Sequence, residues 1–185
     1  VLLLKELSDY VKSVNKDAYL VGENWSSNQS IKQYYEGSGF DSFFDFSASV
    51  SNPSGYIMNS INRQGKALTM YYNGLVNGID MACGHIPAPF ISNHDLPRYT
   101  PSIDDLSDTK FQYALLSMLN GSTFTYYGDE VGMVGTKQVD NNVRIPILWG
   151  EGSGDCSVIS GVTTDPSKRY VYGTVSEQIN DPDSF

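Results

Sequence analysis

The 185-residue chain is 40% hydrophobic and 18% charged, an ordinary globular composition that excludes disorder and supplies one substantial core. Its net charge of −9, with no Lys/Arg run to offset it locally, argues against nucleic acid or an anionic bilayer as partner and favours a neutral ligand. No apolar run approaches the ~20 residues that cross a membrane, and Cys83 and Cys156 lie far apart with no zinc-type spacing.

In chain order, Leu4, Leu7, Val11 and Val14 recur at steps of three and four, so residues 1–14 read as an amphipathic helix with no N-cap of its own. An extended run follows at 18–23, and a second, rich in Phe, at 41–46. Ser54 is placed to cap a helix over 55–64, and Leu68, Tyr71, Tyr72 and Leu75 give helical spacing over 66–75. A third extended run covers 89–94, with Pro only at its edge. Asp108 is placed to cap a helix over 109–120, with Phe111, Leu115 and Met118 on one face and Gly121 as its stop. A fourth strand is expected over 122–127, and Asp181 followed by Pro182 reads as the opening of a last helix. With no start Met before the first helix and the last one cut after a turn, the chain reads as an internal segment of a longer protein. Strands alternating with helices predict a parallel α/β sheet in sequential order with helices on its outer face. It is either an open doubly wound sheet or part of an eightfold barrel.

In such folds catalytic groups gather where strands end. Glu23 closes the first extended run, Asp95 the third, and Asp129 with Glu130 follow the fourth. Two carboxylates on neighbouring strand ends are what glycoside cleavage uses, one to protonate the leaving oxygen and one to face the developing oxocarbenium. A carboxylate after a strand serves equally as a helix cap or a solvated loop residue. His94 reads as a donor to substrate or as a buried histidine satisfied by backbone. Trp25 reads as a sugar platform or as packing beneath its loop. Gly128 and Gly132 frame no phosphate loop, because the acidic pair between them occupies the place of the phosphate. The tandem tyrosines at 34–35, 71–72 and 126–127 read as packing residues.

YLVGENW at 19–25, FISNHDLPR at 90–98 and FTYYGDEVGM at 124–133 resemble consecutive stretches of the α-amylase family, glycoside hydrolase family 13. NNVRIPILW at 141–149 also resembles an Arg-x-Pro-x-x-Trp stretch found later in that family. The resemblance implies the C-terminal half of a (β/α)8 TIM barrel, strands 5 to 8, with residues 1–185 one catalytic domain truncated at both ends. It implies Glu23 as general acid/base, Asp95 as the carboxylate that stabilises the transition state, and Asn93, His94, Trp25 and Arg98 as substrate contacts. The family's nucleophilic Asp ends strand 4, and no Gly-Phe-Arg-x-Asp stretch exists in this chain. The implied activity is retaining hydrolysis of starch-type α-glucans, inactive in this chain alone. Alternatives are transglycosylation or α-1,6 cleavage in the same family, or a non-catalytic interaction domain; members of that last kind are expected to have lost carboxylates that are intact here. The chemistry implied needs no cofactor, although a structural calcium ion could belong to the part of the barrel outside this chain. The partners implied are an α-glucan and the other barrel half, and an extracellular or cell-surface location is favoured over a cytoplasmic one.

Overall fold

In the computed structural model, residues 1–26, 28–47, 49, 69, 84–98, 106–137, 139–150 and 172–184 are described. Helix α1 (Leu2–Val14) has no side-chain cap, as its opening residues predict. Its covered face differs from the expected apolar stripe. Leu4, Ser8 and Val11 turn inward, with Ser8 almost fully buried and its hydroxyl donating to the Gly39 carbonyl at 2.7 Å. Leu7 and Val14 face solvent together with Leu3 and Tyr10. The reason is that α1 packs on helix α2 (Asn28–Ser38) through a small polar side chain, which allows close approach, and the larger apolar side chains are left on the far side.

Three short strands, β1 (Val21–Gly22), β2 (Ser42–Asp45) and β3 (Ala88–Pro89), lie parallel in the order β1-β2-β3. The expected fourth strand contributes a single parallel bridge, Phe90 to Phe124. All pairings are parallel and sequential, as predicted, but each strand is shorter than its extended run. At β1 the cause is local. The Leu20 N–H is taken by the Asp41 carboxylate at 2.7 Å, so a side chain replaces one rung of the ladder. At β3, residues 91–95 leave the sheet because the Asn93 side chain accepts the Asp95 N–H at 2.8 Å and starts a turn.

Phenylalanine makes this sheet's core. Phe43 packs on Ile31 and Tyr35, which also carries Tyr34 and Phe40. On the other face, Phe44 meets Phe90 and Phe124 edge-on at 5.5 and 4.9 Å. Burying a ring of this size contributes roughly 2–3 kcal/mol. Tyr35 keeps a polar tip inside: its hydroxyl accepts from the Phe43 N–H at 3.0 Å and donates to the Ile86 carbonyl at 3.3 Å. Burial pushes that phenol up to about 12.

Helix α3 (Leu106–Met118) begins before the expected Asp108 cap and ends near the predicted stop. Its buried residues are Thr109, Gln112 and Leu116, whereas Phe111 and Met118 are exposed, so the predicted face is corrected. Apolar residues lie on two sides of this helix, and periodicity alone had no basis for choosing between them. The tail forms helix α4 (Val175–Ile179), opened by a capping box between Thr174 and Glu177. Asp181 accepts the Asp183 N–H at 2.9 Å in a turn, and the helix expected there is not formed over 181–184. The helices expected over 55–64 and 66–75 lie, Thr69 apart, outside the described residues.

The chain divides into two compact units, Val1–Phe90 with Leu116–Phe124, and Ile91–Leu115 with Thr125–Phe185. The sheet and α1 and α2 belong to the first. The second has its own core of Met133, Ile145 and Leu148, backed by Val131 and Ile147.

Candidate active site

Glu23 directly follows the last residue of β1, at its C-terminal end, and is exposed. Gly22 before it cannot be replaced freely, since a Cβ there would stand 2.2 Å from the Phe43 ring of the neighbouring strand. The indole of Trp25 donates to a Glu23 carboxylate oxygen at 2.9 Å. That ring rests on Phe46 with centroids 4.5 Å apart and remains 55% exposed. One side of Trp25 is thus packed, as one of its two readings has it, and the rest of the ring is exposed. The two residues form a unit in which the aromatic orients the acid.

Asp95 lies in the second unit, in the turn after β3, and is partly exposed. Three basic side chains converge on it: Arg144 Nη2 at 2.9 Å, His94 Nε2 at 3.2 Å and Lys137 Nζ at 3.9 Å. Arg144 and Lys137 also pair with Asp140, and the Lys137 hydrogen bond is the main reason that carboxyl is held below its ordinary value. Lys137 further donates to the His94 carbonyl at 3.1 Å, fixing the backbone beside Asp95. His94 is mostly exposed, so the buried-histidine reading is set aside. Asn93 shapes the turn through its side chain.

Arg98 takes a different place from the one its motif position suggested. Its side chain is fully buried and donates to the Tyr127 carbonyl at 2.7 Å and to Asp129 at 3.2 Å. Its guanidinium lies over the Tyr126 and Tyr127 rings, at 4.3 and 4.8 Å from their centroids. A guanidinium enclosed in this way has no free face for a sugar, so its contact with substrate is corrected to an anchoring role. The same contacts explain why the 126–127 tyrosine pair is a packing pair. Burial pushes the Asp129 carboxyl up, against the pull of the Ser92 and Tyr113 hydroxyls and of Arg98. Glu130 beside it is exposed.

Sequence reasoning assigned no role to Arg144, Lys137 or Asp140. Arg144 stood in a recognised motif and had that much signal; Lys137 had none, because its contact with His94 spans 43 residues, and Asp140 joins the cluster only through Lys137 and Arg144. Among the described residues no group of three His, Cys, Asp or Glu is gathered so as to hold a metal ion.

The family model for the α-amylase catalytic domain matches residues 2–173. Alpha-amylase 3 of Dictyoglomus thermophilum is 33% identical over 152 residues, which is 78% of this chain and 28% of that protein. Neopullulanase 2 of Thermoactinomyces vulgaris is 27% identical over 155 residues, 80% of this chain and 24% of the relative. Among solved structures, Eubacterium rectale Amy13B superposes with a TM-score of 0.72 at 32% identity, covering 98% of this chain and 36% of that one. The chain thus spans about a quarter of the curated relatives it matches and about a third of the solved neighbour. Its parallel strands in sequential order are those of a barrel of this kind. Matching over nearly its whole length, the chain belongs to the α-amylase family of glycoside hydrolases and is part of that family's catalytic barrel.

Proposed function

We propose that the protein carrying this chain is a retaining α-glucoside hydrolase of starch and maltodextrins, in which this chain supplies strands 5 to 8 of the barrel. Glu23 donates its proton to the glycosidic oxygen while a nucleophilic Asp from outside this chain attacks the anomeric carbon, breaking the C–O bond and forming a glycosyl-enzyme. Glu23, now a carboxylate, takes a proton from water, whose oxygen attacks the same carbon and releases the sugar with retention. Asp95 faces the oxocarbenium-like charge of both transition states.

The observation that carries this reading is Glu23 itself: an exposed carboxylate at a strand's C-terminal end, hydrogen-bonded by an exposed indole that offers a stacking face. The relatives include an alpha-amylase and a neopullulanase, which supports α-glucans as the substrate class. The test is Glu23→Gln in the full-length protein, assayed on soluble starch and on an aryl maltoside. Turnover is expected to fall by roughly 10²–10⁴-fold. Starch hydrolysis near the wild-type rate would remove Glu23 as the acid.

A further inference from the structure

The loop that carries Asp95 is held at both ends by one side chain outside it. At its start, the Ser92 hydroxyl donates to Asp129 Oδ2 at 2.5 Å; at its finish, Arg98 Nη1 donates to Asp129 Oδ1 at 3.2 Å. All three residues are at least nine-tenths buried. Between these anchors lie only five residues, and they are braced internally by the Asn93 side chain, which accepts the Asp95 N–H, and by the buried Leu96.

We propose that Asp129 is the positioning residue for Asp95, clamping both ends of its loop from the neighbouring strand's exit. Among the described residues no hydrogen bond or ion pair joins Asp129 to Asp95, and Asp129 is buried, so it acts through the loop. Its own position is fixed by the turn Asp129–Val131, opened by Gly128 in the left-handed region at φ 86°. A Cβ at Gly128 would meet Met133 Sδ at 2.0 Å and Arg98 Nη1 at 3.3 Å, so the turn and the guanidinium are fitted to each other. The Arg98 backbone N–H adds a further tie, to the Gly135 carbonyl at 3.0 Å. Two of the guanidinium's nitrogens, Nε and Nη2, have no hydrogen-bond partner. Asp129 is therefore its sole anionic partner among the described residues. One carboxylate with two oxygens can grip two points of the backbone path at once. An Asn in its place can still accept from Arg98 and donate to the Ser92 hydroxyl, but it removes the negative charge that holds the buried guanidinium, and the grip at the loop's finish is weakened.

The inference rests on the proposed role of Asp95 as transition-state stabiliser, and its consequence is specific. A loop displaced by about 1 Å loses transition-state stabilisation more than substrate binding. In the full-length protein, Asp129→Asn is expected to lower kcat on an activated aryl maltoside by about 10- to 100-fold while KM changes less than about threefold. Ser92→Ala, a smaller perturbation that keeps the ion pair, is expected to lower kcat by about three- to tenfold, and it serves in the cycle should Asp129→Asn fail to fold. The deciding measurement is a cycle with Asp95→Asn. If Asp129 works through Asp95, the Asp129 or Ser92 substitution costs little more once Asp95 is already Asn. Equal losses in both backgrounds, or wild-type kcat in folded variants, would overturn the positioning role. Glu23→Gln run alongside separates the two readings. If that variant still hydrolyses starch, the functional assignment fails; if it is inactive and the cycle shows no coupling, only the clamp fails.

Discussion

Glu23 and Trp25 show how one residue's chemistry is prepared by the next. The indole gives a hydrogen bond to the Glu23 carboxylate and keeps an exposed face, and in the proposed function these serve the acid and the ligand as two separable contributions. Trp25→Phe keeps a ring over Phe46 and removes the donor; it should lower kcat about three- to tenfold, the size of one ordinary hydrogen bond at an exposed site, with KM little changed. Trp25→Ala removes the stacking face too, and KM should rise by about fivefold or more, corresponding to roughly 1 kcal/mol. Steady-state kinetics of the full-length protein on a maltoside reads both. Unchanged KM in the alanine variant would reduce Trp25 to packing. The place of Glu23 at a strand's end was legible because it directly follows an extended run, although a carboxylate there serves equally as a cap or a loop residue. Arg98 was legible as an important position and misread in kind, since a motif shows that an arginine is present and says nothing of the side to which it points.

At the scale of elements, the junction of α1 with the sheet depends on Asp41. Its carboxylate accepts from Lys12 at 2.8 Å and from the Leu20 N–H at 2.7 Å, joining the helix to the start of β1. Burial raises the Asp41 carboxyl, but the Lys12 and Leu20 hydrogen bonds and the Lys12 charge together outweigh it and hold the group below its ordinary value. The sign follows from that direction. An acid whose folded pKa lies below its unfolded one contributes stability that is present above the unfolded value and is lost as pH falls through the folded one. Asp41→Asn should therefore cost about 1 kcal/mol at pH 7, a figure kept small because the pair is about one-third exposed and screened by salt. The deficit in thermal midpoint relative to wild type should shrink between about pH 5 and pH 3. A deficit that stays constant over that range would rule out the carboxylate's charge as its origin. The strand order was predictable from the alternation of elements. Strand lengths were not, because Asp41 and Asn93 bond to backbone that a regular ladder would use, and no period in the sequence marks such competition.

For the molecule as a whole, the outer side of α1 carries Leu3, Leu7, Tyr10 and Val14 in one helical stripe, from 48% to 75% exposed. β1 pairs on one side only among the described residues. In the proposed barrel these surfaces meet the half that bears the nucleophile. Residues 1–185 expressed alone should accordingly show no turnover of starch or of a chromogenic maltoside, since retaining cleavage needs a nucleophile about 5–5.5 Å from the acid. They should also run above monomer mass in solution or precipitate, because an open strand edge and an apolar stripe recruit a partner. A monomer with parent-like turnover would refute both expectations.

By itself the sequence determined the class of fold, the family, and the order and direction of its strands. These follow from local patterning and from short contiguous motifs, which need no knowledge of what lies across space. The tertiary structure alone decided which faces of α1 and α3 are covered, that Arg98 is enclosed against Asp129, and that Arg144 and Lys137 turn toward Asp95. The contacts at α1, Arg98 and Asp95 join groups 31 to 49 residues apart in the chain. Burial and charge pairing between such groups are set by how elements pack, and packing leaves no periodic trace in the order of the amino acids.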